Sequence, residues 1–234
     1  MIPLKDDVPS RTFPLVTVLL IGLNVLAYFY QASLDFDGRG TGEAFIMEFG
    51  LVPCRLTGAC ALAGDFPSPT LTIFTSMFMH GGLFHVGGNM LYLWIFGDNV
   101  EDTLGHGRFL LFYLAVGVAA AVAQVMLNSA SRVPMVGASG AVSGVLGAYL
   151  LLFPYARIWT LLIIGFFVRF VYVPALIVLG FWIVVQLING FITFSAQSLG
   201  RGETGGVAWF AHVGGFLAGM LLLFLFRPRQ TSRL

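Results

Sequence analysis

The sequence predicts an all-α membrane protein, a bundle of six transmembrane helices. Three observations predict it. The 234 residues are 58% hydrophobic and only 10% charged, and mean hydropathy is +0.89, far outside soluble globular usage. Uncharged apolar runs, each able to hold a crossing helix of about 20 residues, recur along the chain. Its 29 glycines suit close helix packing in lipid, where small residues let backbones approach. The net charge of +1 offers no electrostatic basis for a nucleic-acid partner.

Residues 1–11 read as a short N-terminal segment, 12–227 as the membrane domain and 228–234 as a tail. The first run, Thr12–Leu34, follows Lys5 and Arg11 as a signal peptide would. It is too long for a signal core and lacks a small-x-small cleavage site, so it is expected to stay as a span. The loop of about residues 35–80 holds Cys54 and Cys60, the two cysteines of the chain. Outside the cytoplasm they could form a local disulfide; the alternative is two small loop thiols. Neither CxxC nor Cys/His zinc spacing occurs, and no metal or cofactor is expected.

The run Phe66–Gly97 is too long for one helix. We read Pro67–Gly82 as loop with a short interfacial helix, and the second span as about Leu83 to Val100. Further runs are Phe109–Ser131, Val133–Ala156, Phe170–Gly200 and Thr204–Phe226. The fifth begins properly near Pro174, because proline suits the first turn of a helix. Ile158–Val168 is apolar but spans 11 residues between Arg157 and Arg169. That is too short to cross, and it reads as an interfacial or membrane-dipping loop.

Cationic residues orient the spans. With a cytoplasmic N-terminus, the inner segments hold Lys5, Arg11, Arg108, Arg157, Arg169, Arg227, Arg229 and Arg233, eight against four outside (Arg39, Arg55, Arg132, Arg201). Both termini are then cytoplasmic and the cysteine loop external. Spans 2, 4 and 6 start from the outer face. His85, Asn89, Ser139 and His212 fall in their first turns, His212 about 9 Å deep at 1.5 Å per residue. Histidine within an apolar span is expensive and marks a functional candidate.

Gly140, Gly144 and Gly147 on span 4, and Ala211, Gly215 and Gly219 on span 6, form small-residue stripes that favour close contact. That contact would bring Ser139 and His212 within hydrogen-bond reach. A serine hydroxyl needs a base to become a nucleophile, and a neutral imidazole suits that role. No carboxylate sits at matching depth, so the pattern is a Ser–His dyad rather than a triad. His85 and Asn89, four apart on one helix face, and the Ser139 N–H at a helix start are candidate oxyanion donors.

These residues resemble the rhomboid intramembrane serine proteases over about residues 12–227. The resemblance rests on His80-x4-His85-x3-Asn89, Gly137-x-Ser139-Gly140 and Ala211-His212-x2-Gly215-x3-Gly219, in that order on spans 2, 4 and 6. It implies Ser139 as nucleophile, His212 as general base, and His85, Asn89 and the Gly137–Ser139 turn as the oxyanion and substrate-binding site. It implies membrane-protein substrates cleaved in or near a transmembrane segment, a bilayer environment, and most simply a bacterial inner membrane. It also implies sideways substrate entry past span 5 and the following loop, about Pro174–Gly206, with Phe181 and Trp182 as gate residues. Two features depart from the family. Ser143 stands where an aromatic usually stacks on the histidine, so Ser143, Trp209 or a water is expected to orient His212. A Trp-Arg pair is missing from the first external loop.

Plainer readings exist for each residue. Ser139 could be a packing residue beside Gly140, His212 an interhelical hydrogen bond, and His85 and Asn89 loop anchors. His80 reads as structural, bonding the loop above the site, and His106 as solvated. Glu101 reads as a cap or a partner of Arg108 or Arg157. Asn24, Gln124, Gln186 and Asn189 read as interhelical glue. The alternative function is a pseudoprotease that binds membrane clients without cutting. A histidine proton path is disfavoured, since midplane acids and repeats are missing, and His80–His85 is not HExxH.

Overall fold

Hydrocarbon leaves a backbone no partner but itself, so apolar runs fold as helices. The structure, a computed structural model, describes residues 1–36, 40–60, 67–199 and 206–228. Its long helices are α1 (Leu15–Ser33), α5 (Leu83–Leu104), α6 (His106–Leu127), α7 (Ser139–Leu152), α8 (Ala175–Ser198) and α9 (Trp209–Phe226). Short helices α2 (Thr41–Phe49), α3 (Pro53–Thr57) and α4 (Thr72–Thr75), the last continued by a 3-10 turn at Ser76–Phe78, lie between α1 and α5. Among the described residues four helices, α1, α6, α8 and α9, are long and apolar enough to cross a bilayer. The second, α5, has the length but carries Asp98, Glu101 and Asp102, and α7 has only 14 residues. Side chains such as Leu26 on α1 and Leu221 and Phe224 on α9 stay exposed, as lipid-facing positions would. Tyr113, Tyr149, Phe96 and Phe112 fill the centre.

Two expectations are corrected. The fourth run does not begin its helix at Val133. Residues before Ser139 are non-helical: Pro134 interrupts, Met135 pairs with Leu51, and Gly137 takes φ +127, a conformation side chains rarely adopt. The apolar piece Ile158–Val168 is not a loop. It belongs to a hairpin of β2 (Arg157–Ile164) and β3 (Phe167–Pro174), in register from Arg157↔Pro174 to Ile164↔Phe167. Its β-branched and aromatic residues favour strand, and Gly165 supplies the positive φ of +58 that a two-residue turn needs. The N-terminal β1 (Ile2–Lys5) pairs with β2, Ile2 opposite Leu161. The chain is therefore mostly helical, with a small antiparallel sheet at one end.

The two ends of the bundle sort their loops. The N-terminus, the α5–α6 turn and the hairpin share one end. There α1 lacks a side-chain cap of its own, and Glu101 of α5 supplies one. It accepts the N–H groups of Val16 (2.9 Å) and Thr17 (2.7 Å) and the Thr17 hydroxyl (2.7 Å), satisfying orphan donors of a helix start. His106 is exposed, as expected of a solvated residue, and its Nδ1 also lies 2.5 Å from Glu101 Oε1. Glu101 thus caps α1 and meets His106 rather than the arginines. At the opposite end Cys54 and Cys60 form a disulfide, and the Cys54 N–H donates to the Ser131 carbonyl at 2.9 Å. Arg39, Arg201, Arg229 and Arg233 lie outside the described residues, as do 200–205 and 229–234.

Helices α7 and α9 touch through backbone. A Cβ on Gly215 would run into the Gly140 carbonyl oxygen, and one on Gly219 into the Gly144 carbonyl oxygen. No side chain larger than hydrogen fits there. This contact fixes the relative height of Ser139 and His212.

Candidate active site

Ser139 is the first residue of α7 and His212 lies in the first turn of α9. The glycine contact therefore places two helix starts side by side. Ser139 Oγ and His212 Nε2 are 2.8 Å apart, a full hydrogen bond. His212 is 9% exposed. Its other ring nitrogen, Nδ1, lies 2.8 Å from Gln186 Oε1 on α8. Trp182, one turn before Gln186, stands over the imidazole with ring centroids 5.9 Å apart and a 37° interplanar angle. Trp209 meets it edge-on at 6.1 Å.

His85 and Asn89 sit in the first two turns of α5. The Gly81 N–H donates to His85 Nδ1 at 3.3 Å. A neutral imidazole that accepts at Nδ1 carries its proton at Nε2. That Nε2 lies 2.7 Å from where a Cβ on Gly137 would stand, and Ser139 Oγ lies 3.4 Å from the same point. Glycine at 137 thus leaves room for an N–H donor against the serine turn. The Asn89 amide nitrogen is buried and has no partner in the protein, an orphaned donor of the kind that usually has a reason. The Val142 N–H bonds the Ala138 carbonyl at 2.9 Å, so the amides of Ser139 to Ala141 precede the helix ladder. Such amides at a helix start favour negative charge.

Several sequence expectations change here. Ser143 does not orient His212; its hydroxyl donates to the Ser139 carbonyl at 2.5 Å. Trp182 turns inward, stacking on Phe216 at 6.0 Å, while Phe181 is exposed. The His80 ring is fully buried with neither nitrogen hydrogen-bonded to protein. It is the His80 backbone that is held, by Gln31, through its carbonyl at 2.7 Å and its N–H at 3.2 Å. Asn24 and Asn189 donate within their own helices, to Leu20 and Val185. Gln124 joins two helices by accepting the Ala211 N–H at 3.1 Å.

Gln186, read from the sequence as interhelical glue, does bridge α8 and α9, but its contact with the His212 ring is what sequence reasoning missed. A signal existed. Counted from Pro174, at the opposite end of the bundle, it lies about 18 Å along its helix at 1.5 Å per residue, which leaves about 12 Å of a hydrocarbon layer about 30 Å thick, close to the depth of the serine and histidine. Nothing local, however, separated it from other buried amides.

The rhomboid domain model matches residues 68–229. The chain belongs to the rhomboid family. It is 33% identical over 202 residues to rhomboid protease GluP of Bacillus subtilis, covering 82% of this chain and 36% of that one. It is 36% identical over 101 residues to mitochondrial rhomboid protein 1 of Saccharomyces cerevisiae, 42% of this chain and 29% of the relative. With RHOMBOID-like protein 1 of Arabidopsis thaliana it shares 35% over 159 residues, 67% of this chain and 35% of the relative. The chain thus spans about a third of the length of these relatives. Family and apolar helices together make this rhomboid an integral, multi-pass membrane protein.

Proposed function

We propose that this rhomboid is an intramembrane serine endopeptidase that hydrolyses peptide bonds in or near transmembrane segments of membrane-protein substrates. The observation that carries the reading is the 2.8 Å contact between Ser139 Oγ and His212 Nε2, beside unengaged donors. The hydroxyl attacks the scissile carbonyl carbon while its proton passes to His212 Nε2. The Ser139 N–H, His85 Nε2–H and Asn89 amide hold the resulting oxyanion, and each such donor is typically worth about a hundred- to a thousandfold in rate. His212 then protonates the leaving amine as the carbon–nitrogen bond breaks. Water, deprotonated by the same imidazole, releases the acyl group and regenerates Ser139.

In this reading α1, α5, α6, α7, α8 and α9 are six crossings, with both termini cytoplasmic. The pairing of β1 with β2 supports placing N-terminus and hairpin on one side, and the Cys54–Cys60 disulfide suits an oxidising opposite side. Similarity to the Bacillus protease supports a bacterial cell membrane. Substrates would enter past α8, where Phe181 is exposed.

The test is cleavage of a transmembrane substrate by the reconstituted protein. Ser139→Ala and His212→Ala should each abolish cutting yet insert and fold, and a fluorophosphonate should label Ser139. Near wild-type cutting by Ser139→Ala removes the protease reading. A wild-type protein that retains clients without cutting them would point to a pseudoprotease.

A further inference from the structure

A histidine can act as base toward Ser139 only if Nε2 is unprotonated, so the single ring proton of the neutral form must sit on Nδ1. The opposite tautomer aims an N–H at Oγ and cannot accept its proton. Something must therefore hold a proton acceptor at Nδ1. Among the described residues the hydrogen-bond partners of the His212 ring are Gln186 and Ser139, and neither is a carboxylate.

The geometry points to Gln186 as the positioning residue that sets the tautomer of His212, an inference that rests on the dyad reading above. The reasoning runs through hydrogen-bond chemistry. An amide side chain offers an oxygen that only accepts and a nitrogen that only donates. The Gln186 nitrogen, Nε2, donates to the carbonyl of Trp182 at 3.2 Å, and a carbonyl can only accept. That contact fixes which way the amide faces. Its oxygen, Oε1, is left toward His212 Nδ1 at 2.8 Å, and there it demands an N–H. The imidazole proton is therefore held on Nδ1, and the lone pair of Nε2 faces the Ser139 hydroxyl at 2.8 Å. Four groups form one directed chain: Trp182 carbonyl, Gln186 amide, His212 imidazole, Ser139 hydroxyl.

The setting agrees. Gln186 is 6% exposed, so water does not compete for its oxygen. Trp182 and Gln186 are four apart on α8 and share one helix face, so the tryptophan that supplies the carbonyl also covers the imidazole. An amide does this without placing a charge in an apolar layer, where an ion is expensive. The base is thus oriented from α8, not from its own helix.

The test uses the full chain in nanodiscs with ring-15N-labelled histidine, the His212 signal being assigned by its loss in His212→Ala. Wild type should show the Nδ1–H tautomer. In Gln186→Leu that tautomer should no longer dominate. Its kcat on a transmembrane substrate should fall about ten- to a hundredfold, the size of a lost hydrogen bond to a charge-developing group, with KM unchanged. Gln186→Glu restores an acceptor of equal reach and should recover much of the lost kcat. An Nε2–H tautomer in wild type overturns the inference without any variant. So does a Gln186→Leu protein with wild-type kcat, or one changed in KM alone. If Ser139→Ala and His212→Ala are inactive while Gln186→Leu is not impaired, only this inference falls. If Ser139→Ala still cuts, the dyad reading falls first.

Discussion

Gly137→Ala tests the site with a single methyl group. The wild-type φ of +127 lies where a Cβ is strained, a penalty of about 1–3 kcal/mol. The new Cβ would stand 2.7 Å from His85 Nε2 and 2.8 Å from His85 Cε1, against ordinary contact of about 3.5–4.0 Å. Closing that gap requires the imidazole to retreat by roughly an ångström or the turn to refold. Either movement withdraws the Nε2–H from the oxyanion position or tilts the Ser139 amide. Loss of one donor predicts a fall in kcat of about a hundred- to a thousandfold. The assay is cleavage of a reconstituted transmembrane substrate, alongside thermal unfolding in detergent. Gly22→Ala in α1 is the control, because nothing lies within 4 Å of its Cβ. Wild-type turnover by a folded Gly137→Ala protein would refute the role assigned to the His85–Gly137 contact.

Two further outcomes are expected. Gly219→Ala drives a methyl into the Gly144 carbonyl oxygen; overpacking of this kind costs about 1–3 kcal/mol, so the thermal midpoint should drop and cleavage with it as α7 and α9 separate, whereas an unchanged midpoint would mean that the helices are not held at backbone contact. Burial pushes the Asp6 carboxyl from 3.8 up to about 6, with Asp98 and Asp7 adding to the rise and the Tyr149 hydroxyl, donating at 2.6 Å, opposing it. Because the folded state then holds this proton more tightly than the unfolded one, the stabilisation is full below about 3.8 and lost as pH rises through about 6. Wild type should lose thermal stability over that window relative to Asp6→Asn; parallel profiles for the two proteins would contradict it.

Much of this protein was legible in its sequence because lipid imposes a strict rule. A backbone in hydrocarbon must bond to itself, so long apolar runs could only be helices. Ser139, His212, His85 and Asn89 stood out because polar groups are rare at such positions and glycine stripes indicated which helices would touch. Tertiary structure decided what depended on neighbours. The hairpin at 157–174 gains a third strand from β1, far away in sequence. Glu101 caps a helix 85 residues earlier. Gln186 looked like any buried amide until the Trp182 carbonyl and the His212 ring took its two ends. Hydropathy and spacing are properties of one segment, whereas the partner of a hydrogen bond is a property of two, and only the folded chain brings those two together.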